Sequence, residues 1–258
     1  MAAPSNKWVR TMLQLVEGLI VSWPGGLGRR VRAAYWRRRL GAMGSGCVID
    51  VGVLIPTPEA VFLGENVWID AYVILLAGSI EPRPNTRVLP NSAYRGAPGE
   101  LHIGSNTHVA PFCLLQGHGG MHIGKDSGIG SHSSLYSVSN HYRGPNLPDE
   151  FDGEYDHVIK YSPLVPPEQQ AYISSPVVME DASGVAVGSV VLPGATIGQY
   201  SWIGAGSVVR GKIPAGVIAG GNPAATLKQR FGRAIELSEK LTKNNQPGTG
   251  SERDASVG

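Results

Sequence analysis

Aliphatic residues recur at every sixth position over long parts of the chain, with glycine and small or polar residues between them. In the longest series, each of the first five aliphatic residues is followed four positions later by a small residue, Ser or Ala. Three shorter series repeat the spacing earlier in the chain. The aliphatic positions are Met179, Val185, Val191, Ile197, Ile203 and Val209 in the long series, and Leu63, Ile69, Leu75, Ile103, Val109, Ile123, Ile129 and Leu135 in the shorter ones.

A period of six predicts a parallel β-helix. An amphipathic α-helix needs an apolar stripe of period 3.6, and a β-sandwich needs longer alternating strands. A six-residue unit instead forms one short strand and one turn, and three units close a triangular coil. Coils stack at the inter-strand spacing of about 4.8 Å, so the aliphatic residues form one continuous column. We predict this all-β domain over residues 47–225; the spacing alone leaves its handedness open.

Residues 1–46 have a different pattern and predict an amphipathic, basic helical segment. Trp8, Met12, Leu15 and Leu19 follow helical spacing. The stretch "LGRRVRAAYWRRRLG" then holds six arginines within eleven residues. Two interpretations fit: a solvated cationic face on a helix that packs against the main domain, or attraction to an anionic membrane surface or a lipid-diphosphate-linked sugar.

The repeat is interrupted by a proline-rich stretch at 141–176, and long excursions from a regular solenoid usually serve as lids or binding loops. After the repeat, residues 226–243 predict a short C-terminal helix. The final residues, 244–258, have the polarity and Gly, Ser and Pro content of a disordered tail.

Composition narrows the class of protein. Of 258 residues, 42% are hydrophobic and 16% charged, which is typical of a globular protein. The net charge of +2 and the lack of a reading motif beside the arginines argue against nucleic-acid binding. Two cysteines form no disulfide framework, the start lacks a secretory leader, and its apolar run is too short to span a bilayer. We therefore expect a cytoplasmic protein, with the arginine-rich segment as a candidate peripheral contact at the inner face of the membrane.

Among seven histidines, His141 alone stands where the repeat breaks. Four others, His102, His108, His122 and His132, occupy outward-facing positions of repeat units, and His118 lies in a Gly-rich corner. Histidine suits the role of general base because its unperturbed pKa lies near 6.5.

At this point a resemblance becomes visible. The hexapeptide repeat, "NHYRG" and the distant "GGNPAATLKQRF" resemble the hexapeptide-repeat acyltransferases, in particular the streptogramin and chloramphenicol acetyltransferases and the polysaccharide O-acetyltransferases. One departure is that Gly184 stands where relatives often carry an aromatic residue. The resemblance implies a left-handed β-helix, a homotrimer with sites between subunits, and acetyl-CoA as co-substrate without a metal.

The resemblance also implies roles for individual residues. His141 matches the catalytic histidine, with Asn140 beside it. The lid tyrosines, Tyr172 among them, suit a sugar or polyol acceptor. The predicted cofactor contacts are Ala186, Gly188, Ala205, Gly206, Arg210, Lys212, Asn222, Pro223, Lys228 and Arg230; the predicted substrate contacts are Tyr136, Tyr142, Arg143 and His118.

The expected activity is acetyl-CoA-dependent O-acetylation of a sugar, a polysaccharide precursor or a similar polyol. An antibiotic-inactivating acetyltransferase is the alternative within this chemistry. Two other classes share the repeat: a γ-carbonic-anhydrase-like zinc enzyme, for which His118 and His122 are the available pair, and a non-catalytic scaffold.

Overall fold

The computed structural model describes residues 7–80, 83–141 and 159–231. Short parallel strands stack into three long faces of a β-helix, which confirms the predicted fold class. The first face consists of β1 (Ala42–Met43), β3 (Val61–Leu63), β7 (Leu101–Ile103), β10 (Met121–Ile123), β15 (Val177–Met179), β18 (Thr196–Ile197) and β21 (Lys212–Ile213). The second consists of β2 (Val48–Ile49), β4 (Trp68–Ile69), β8 (His108–Val109), β11 (Gly128–Ile129), β16 (Gly184–Val185), β19 (Trp202–Ile203) and β22 (Val217–Gly221). The third consists of β5 (Ile74–Leu76), β9 (Leu114–Gln116), β12 (Ser134–Tyr136), β17 (Val190–Val191) and β20 (Val208–Val209).

The core is the column that the six-residue period predicts. Every aliphatic residue of the series is at most 4% exposed, and most are fully buried. The small residues that follow lie at the edges of the triangle, where hydroxyls bond to carbonyls of the next coil: Thr107 Oγ1 donates to Gly124 O at 2.9 Å and Ser133 Oγ to Ala186 O at 3.1 Å. Ser139, which leaves the coil for an excursion, is only half-buried.

Two helices lie on the first coil: α1 (Lys7–Ser22) and α2 (Gly25–Arg37). Trp36 of α2 joins the hydrophobic core, and the fully buried Arg32 donates to Ile49 O at 2.9 Å and to Asp50 at 3.3 Å. Each helix is too short or too polar to cross a bilayer, and the remaining described residues contain no such helix either.

Two excursions leave the β-helix at the same edge, between the third and first faces. The first, residues 77–100, falls between β5 and β7; the second, residues 137–176, falls between β12 and β15. They meet in a small sheet in which β14 (Ala171–Ser174) pairs antiparallel with β13 (Val138–Asn140) and parallel with β6 (Asn85–Val88). Single 3₁₀ turns lie at Pro58–Ala60 and Pro167–Gln169. The sequence predicted the second excursion but not the first.

The predicted C-terminal helix is wrong over its described part. Residues Ala224–Gln229 form β23, which returns antiparallel along β22 after a turn at Asn222 and Pro223. The physical reason is the open edge of the last coil, whose backbone groups need partners that a returning strand supplies. Residues 232–258, with the rest of the predicted helix and the predicted tail, lie outside the described residues.

Candidate active site

A cavity of about 450 Å³ lies where the two excursions meet the β-helix. Most of its lining is apolar and comes from the first excursion, including Ile80, Val88 and Leu89. Its larger polar lining residues are Arg83, Tyr94, His118 and Tyr172. A concave, mostly apolar pocket with a few convergent polar groups is the usual form of a small-molecule site.

His118 presents one ring nitrogen to a fixed backbone partner. Its Nδ1 lies 2.7 Å from Gly78 O. A carbonyl oxygen can only accept, so Nδ1 carries the proton and donates. In the neutral ring, Nε2 is then a hydrogen-bond acceptor. Within the described part of the chain, Nε2 has no hydrogen-bond partner, so it is available to a ligand in the cavity.

Most other polar groups of the cavity are already engaged. The Arg83 guanidinium bonds to Gln170 Oε1 and lies 5.1 Å from the centre of the Tyr172 ring, and the Tyr172 hydroxyl donates to the same oxygen at 2.7 Å. The Tyr94 hydroxyl donates to Ala97 O at 2.8 Å, and burial together with the charge of Glu100 raises the pKa of Tyr94 to about 12. The cavity therefore favours a neutral ligand surface with a hydroxyl or amine that donates to His118.

The predicted catalytic pair lies beside this cavity rather than in its wall. Asn140 ends β13, and its side-chain Nδ2 donates to Tyr161 O at 3.4 Å. His141 follows directly and is half-buried, and its backbone N–H donates to Ala171 O at 2.8 Å. The second excursion thus holds the backbone of His141 against β14. Tyr142 and Arg143 lie outside the described residues.

Four predicted cofactor contacts share a different edge, between the second and third faces. Ala186 and Gly188 follow β16, and Ala205 and Gly206 follow β19 in the next coil. Gly188 and Gly206 have φ of +70° and +67°, and an added Cβ at either would meet no atom within 4 Å.

In earlier coils, aromatic rings take the same left-handed position at this edge. Tyr72, Phe112 and His132 stack with ring centres 5.5 Å and 5.1 Å apart. The edge therefore changes from a stacked aromatic wall to an open, glycine-lined surface at Gly188 and Gly206.

The remaining cofactor predictions are scattered. Arg210 lies between the third and first faces, and Lys212 begins β21 on the first face. Asn222 and Pro223 form the β22–β23 turn, and Lys228 is exposed on β23.

Arg230 is held by the protein itself. Its Nη1 donates to Tyr200 O at 2.7 Å, at the edge between the first and second faces. A guanidinium bound there is not directed to the glycine-lined edge. The predicted phosphate contact of Arg230 stays a prediction.

The structure explains why a glycine stands at position 184 and shows where Tyr136 lies. Gly184 pairs in register with Trp202, and an added Cβ would lie 2.5 Å from Trp202 Cε3. The ring of the following coil thus fills the space where relatives often carry an aromatic residue. Tyr136 ends β12 and is half-buried, and it does not line the cavity.

Neither cysteine has the environment of a nucleophile. Cys113 is 1% exposed, and burial raises the pKa of its thiol to about 11. Burial also raises the pKa of Cys47. Across residues 7–80, 83–141 and 159–231, no three side chains of His, Cys, Asp or Glu are placed to hold a metal ion.

The sequence signal for the cavity was weak because its wall comes from two distant excursions. Arg83, Tyr94 and Ile80 stand in the gap between Leu75 and Ile103, where the six-residue period lapses. That gap was visible in the sequence, but it carries no motif that relates these residues to His118.

Comparisons with known proteins support an acyltransferase. The chain is 27% identical to the dTDP-4-amino-4,6-dideoxy-D-glucose acyltransferase of Escherichia coli, over 68% of this chain and 85% of that protein. It is 35% identical to the putative lipopolysaccharide biosynthesis O-acetyl transferase WbbJ of Escherichia coli K12, over 36% of this chain and 48% of that protein. The crystal structure of AntD, an N-acyltransferase from Bacillus cereus in complex with dTDP and 3-hydroxybutyryl-CoA, matches with a TM-score of 0.59 and 20% identity. The match covers 83% of this chain and 95% of that chain. No family model matches the chain.

The stacked coils and the shared architecture define a left-handed parallel β-helix protein. In sequence, the chain is similar to acyltransferases that act in sugar metabolism, and its six-residue repeat resembles that of the hexapeptide-repeat acyltransferases.

Proposed function

We propose that the protein transfers an acetyl group from acetyl-CoA to a hydroxyl of a sugar nucleotide or polysaccharide precursor, with His141 as general base. The observation that carries the proposal is the position of His141, at the start of an excursion that walls a ligand-sized cavity on a hexapeptide-repeat acyltransferase. The names of the relatives, which act on a dideoxy sugar nucleotide and in lipopolysaccharide synthesis, support a sugar acceptor.

The reaction is a direct transfer. His141 removes the proton of the acceptor hydroxyl as its oxygen attacks the acetyl carbonyl carbon. The new C–O bond forms, the C–S bond breaks, and the proton passes from the imidazolium to the departing thiolate of coenzyme A. Backbone N–H groups stabilise the oxyanion, and a positioned base contributes about 10² to 10⁴ in rate.

The cavity suits the acceptor. Its apolar wall favours the less polar face of a sugar ring, and Tyr172 offers an aromatic surface within the same wall. His118 Nε2 accepts a hydrogen bond from one ligand hydroxyl, which orients the ring while His141 acts on another. His118 is thus a binding residue in this scheme and His141 the catalytic one.

The glycine-lined edge suits the pantetheine arm of acetyl-CoA, because a thin chain can approach the backbone at Gly188 and Gly206. Ala186 and Ala205 border the same surface. Arg210 and Lys212 are exposed cations at other positions of the coil, so a phosphate contact from either requires the cofactor to extend beyond the glycine-lined edge. The cavity and this edge lie on different edges of one coil. We infer that the active site is completed between subunits of a homotrimer.

The two cysteines are free and buried, which supports a location in the reducing cytoplasm.

The first experiment is calorimetric titration of acetyl-CoA into the purified full chain, followed by thiol release in the presence of candidate acceptors. The acceptors are dTDP-4-amino-4,6-dideoxy-D-glucose, dTDP-glucose as a hydroxyl analogue, and chloramphenicol. We expect one acetyl-CoA per chain and thiol release with dTDP-glucose that His141→Ala lowers by about 10² to 10⁴ while binding is retained.

Other outcomes decide between specific alternatives. Release with the amino sugar alone would replace O-transfer by N-transfer, and release with chloramphenicol alone would indicate an antibiotic-modifying enzyme. Full activity of His141→Ala would remove the base from the mechanism. A chain that binds no acetyl-CoA would overturn the transferase proposal.

A further inference from the structure

Helix α1 carries a stripe of large apolar side chains that are mostly exposed to solvent. Trp8 is 78% exposed, Met12 60%, Leu15 59% and Leu19 73%. Single exposed apolar residues are common on protein surfaces, but a contiguous row of four on one helix face indicates an interaction site.

The stripe lies on the side of α1 opposite its contact with α2. At 100° per residue, its four members fall within an arc of about 60°, on the side of the helix opposite Glu17. Glu17 faces α2, because its Oε2 accepts hydrogen bonds from Tyr35 Oη at 2.8 Å and Arg39 Nη1 at 3.4 Å. The α1–α2 contact thus orients the apolar stripe outward.

The arginines of the segment divide into two groups. Arg29, Arg32 and Arg39 form ion pairs with Asp50 or Glu17 and so fasten the two helices to the first coil. Arg30, Arg37 and Arg38 are exposed, and no carboxylate in the described residues pairs with them. Residues 25–39 contain no Asp or Glu at all.

We propose that the α1–α2 hairpin docks the enzyme on an anionic lipid bilayer surface, with the stripe of α1 in the headgroup region and Arg30, Arg37 and Arg38 on lipid phosphates. An outward apolar face with aromatic and aliphatic side chains, in the same hairpin as cations without a carboxylate partner, is the pattern of an interfacial helical segment. A contact between copies of this chain through the whole hairpin is less favourable, because residues 25–39 carry six arginines and no carboxylate, so two copies would bring like charges together.

The test is co-sedimentation of the full chain with vesicles of phosphatidylcholine alone and of phosphatidylcholine mixed with phosphatidylglycerol. We expect binding to the mixed vesicles only, weakened by salt. Each arginine near an anionic surface strengthens binding about fivefold, so Arg30→Gln/Arg37→Gln/Arg38→Gln weakens it about 10²-fold. Leu15→Gln/Leu19→Gln weakens it at least about tenfold.

The control variants carry the same types of substitution, Leu→Gln and Arg→Gln, at exposed positions outside the hairpin. Leu164→Gln replaces a leucine that is 93% exposed on the second excursion, and Arg87→Gln replaces an exposed arginine of β6. Both controls bind vesicles like the wild type. All variants are also checked for unchanged melting temperature and acetyl-CoA binding, so a loss of docking is distinct from a loss of fold or of the transferase site.

Three results would overturn the proposal. Equal binding to both vesicle types would show that the anionic headgroup does not contribute to docking. No binding to either would remove the membrane altogether. A smaller oligomer for Leu15→Gln/Leu19→Gln in the absence of lipid, measured by sedimentation velocity, would assign the stripe to a contact between subunits.

Discussion

At the scale of single residues, the two histidines of the candidate site differ in how far sequence could identify them. His141 is visible because it stands at a break in a strict period, next to a motif shared with acyltransferases. The importance of His118 depends on Gly78 O, which fixes its tautomer, and on a cavity wall from another part of the chain. Gly78 and His118 are 40 residues apart in sequence, and only the fold brings them together, so no local sequence pattern predicts their contact.

The tautomer of His118 leads to a discriminating substitution. In His118→Asn, the amide nitrogen replaces Nδ1 as donor to Gly78 O, but no acceptor remains at the position of Nε2. We expect KM for the acceptor to rise about tenfold, as for one lost hydrogen bond, while kcat and the melting temperature change little. Steady-state kinetics with the acceptor found in the thiol-release assay measure this. An unchanged KM would show that Nε2 does not contact the acceptor.

Gly188 and Gly206 test the proposed path of acetyl-CoA. Asn tolerates a left-handed backbone, so Gly188→Asn and Gly206→Asn add a side chain with little strain. We expect each to weaken acetyl-CoA binding about tenfold by obstruction, measured by calorimetry. The control is Gly25→Asn, at φ +78° with the same open space but at the first residue of α2. Wild-type affinity in both edge variants would place the pantetheine arm elsewhere.

At the scale of elements, the sequence predicts the strands of the repeating coils, but it does not predict the first excursion or the strand that covers the C-terminal end of the β-helix. The first excursion and β23 follow no period: β6 of the first excursion pairs with β14 of the second, and β23 pairs with the open edge of β22. Residues 226–229, the start of the predicted C-terminal helix, are instead part of β23, because the open edge of β22 offers them backbone partners. The position of α2 on the first coil likewise depends on a buried arginine that helical periodicity does not distinguish.

The attachment of α2 makes stability depend on pH through Asp50. Burial acts to raise the pKa of Asp50, but the hydrogen bond and charge of Arg29 and the charge of Arg32 outweigh it, so the pKa is lowered. A lowered carboxyl pKa stabilises the fold above the unfolded value of about 3.9 and ceases to do so as pH falls through the folded value. We expect Asp50→Asn to lower the unfolding free energy by about 2 kcal/mol at neutral pH and to reduce its loss below pH about 3.9.

Urea unfolding of Asp50→Asn at several pH values gives this comparison. Glu65→Gln is the control, because Glu65 is an exposed carboxylate at an edge of the second coil whose side chain forms no ion pair among the described residues. It should differ from wild type by less than about 0.5 kcal/mol. Equal effects of the two substitutions would mean that the contact of Asp50 with α2 does not stabilise the protein.

At the scale of the whole molecule, the fold was predictable because one physical requirement recurs in every coil. Each coil must bury three inward aliphatic residues against its neighbours, so the period fixes strand, turn and stacking together. The residues of that column are buried throughout the described β-helix. The candidate site is less predictable from the same pattern, because much of its wall comes from segments that leave the column.

Since each coil is stabilised by its neighbours, an interior defect should weaken the whole solenoid. Leu115 is fully buried in β9, where it pairs with Leu75 on one side and Leu135 on the other. We expect Leu115→Ala to lower the unfolding free energy by about 3 kcal/mol, because a cavity remains in the column. Its neighbour Leu114 points outward and is half-buried, so Leu114→Ala should cost less than about 1 kcal/mol. Chemical denaturation of both variants measures the difference, and equal losses would show that the aliphatic column is not what holds the coils together.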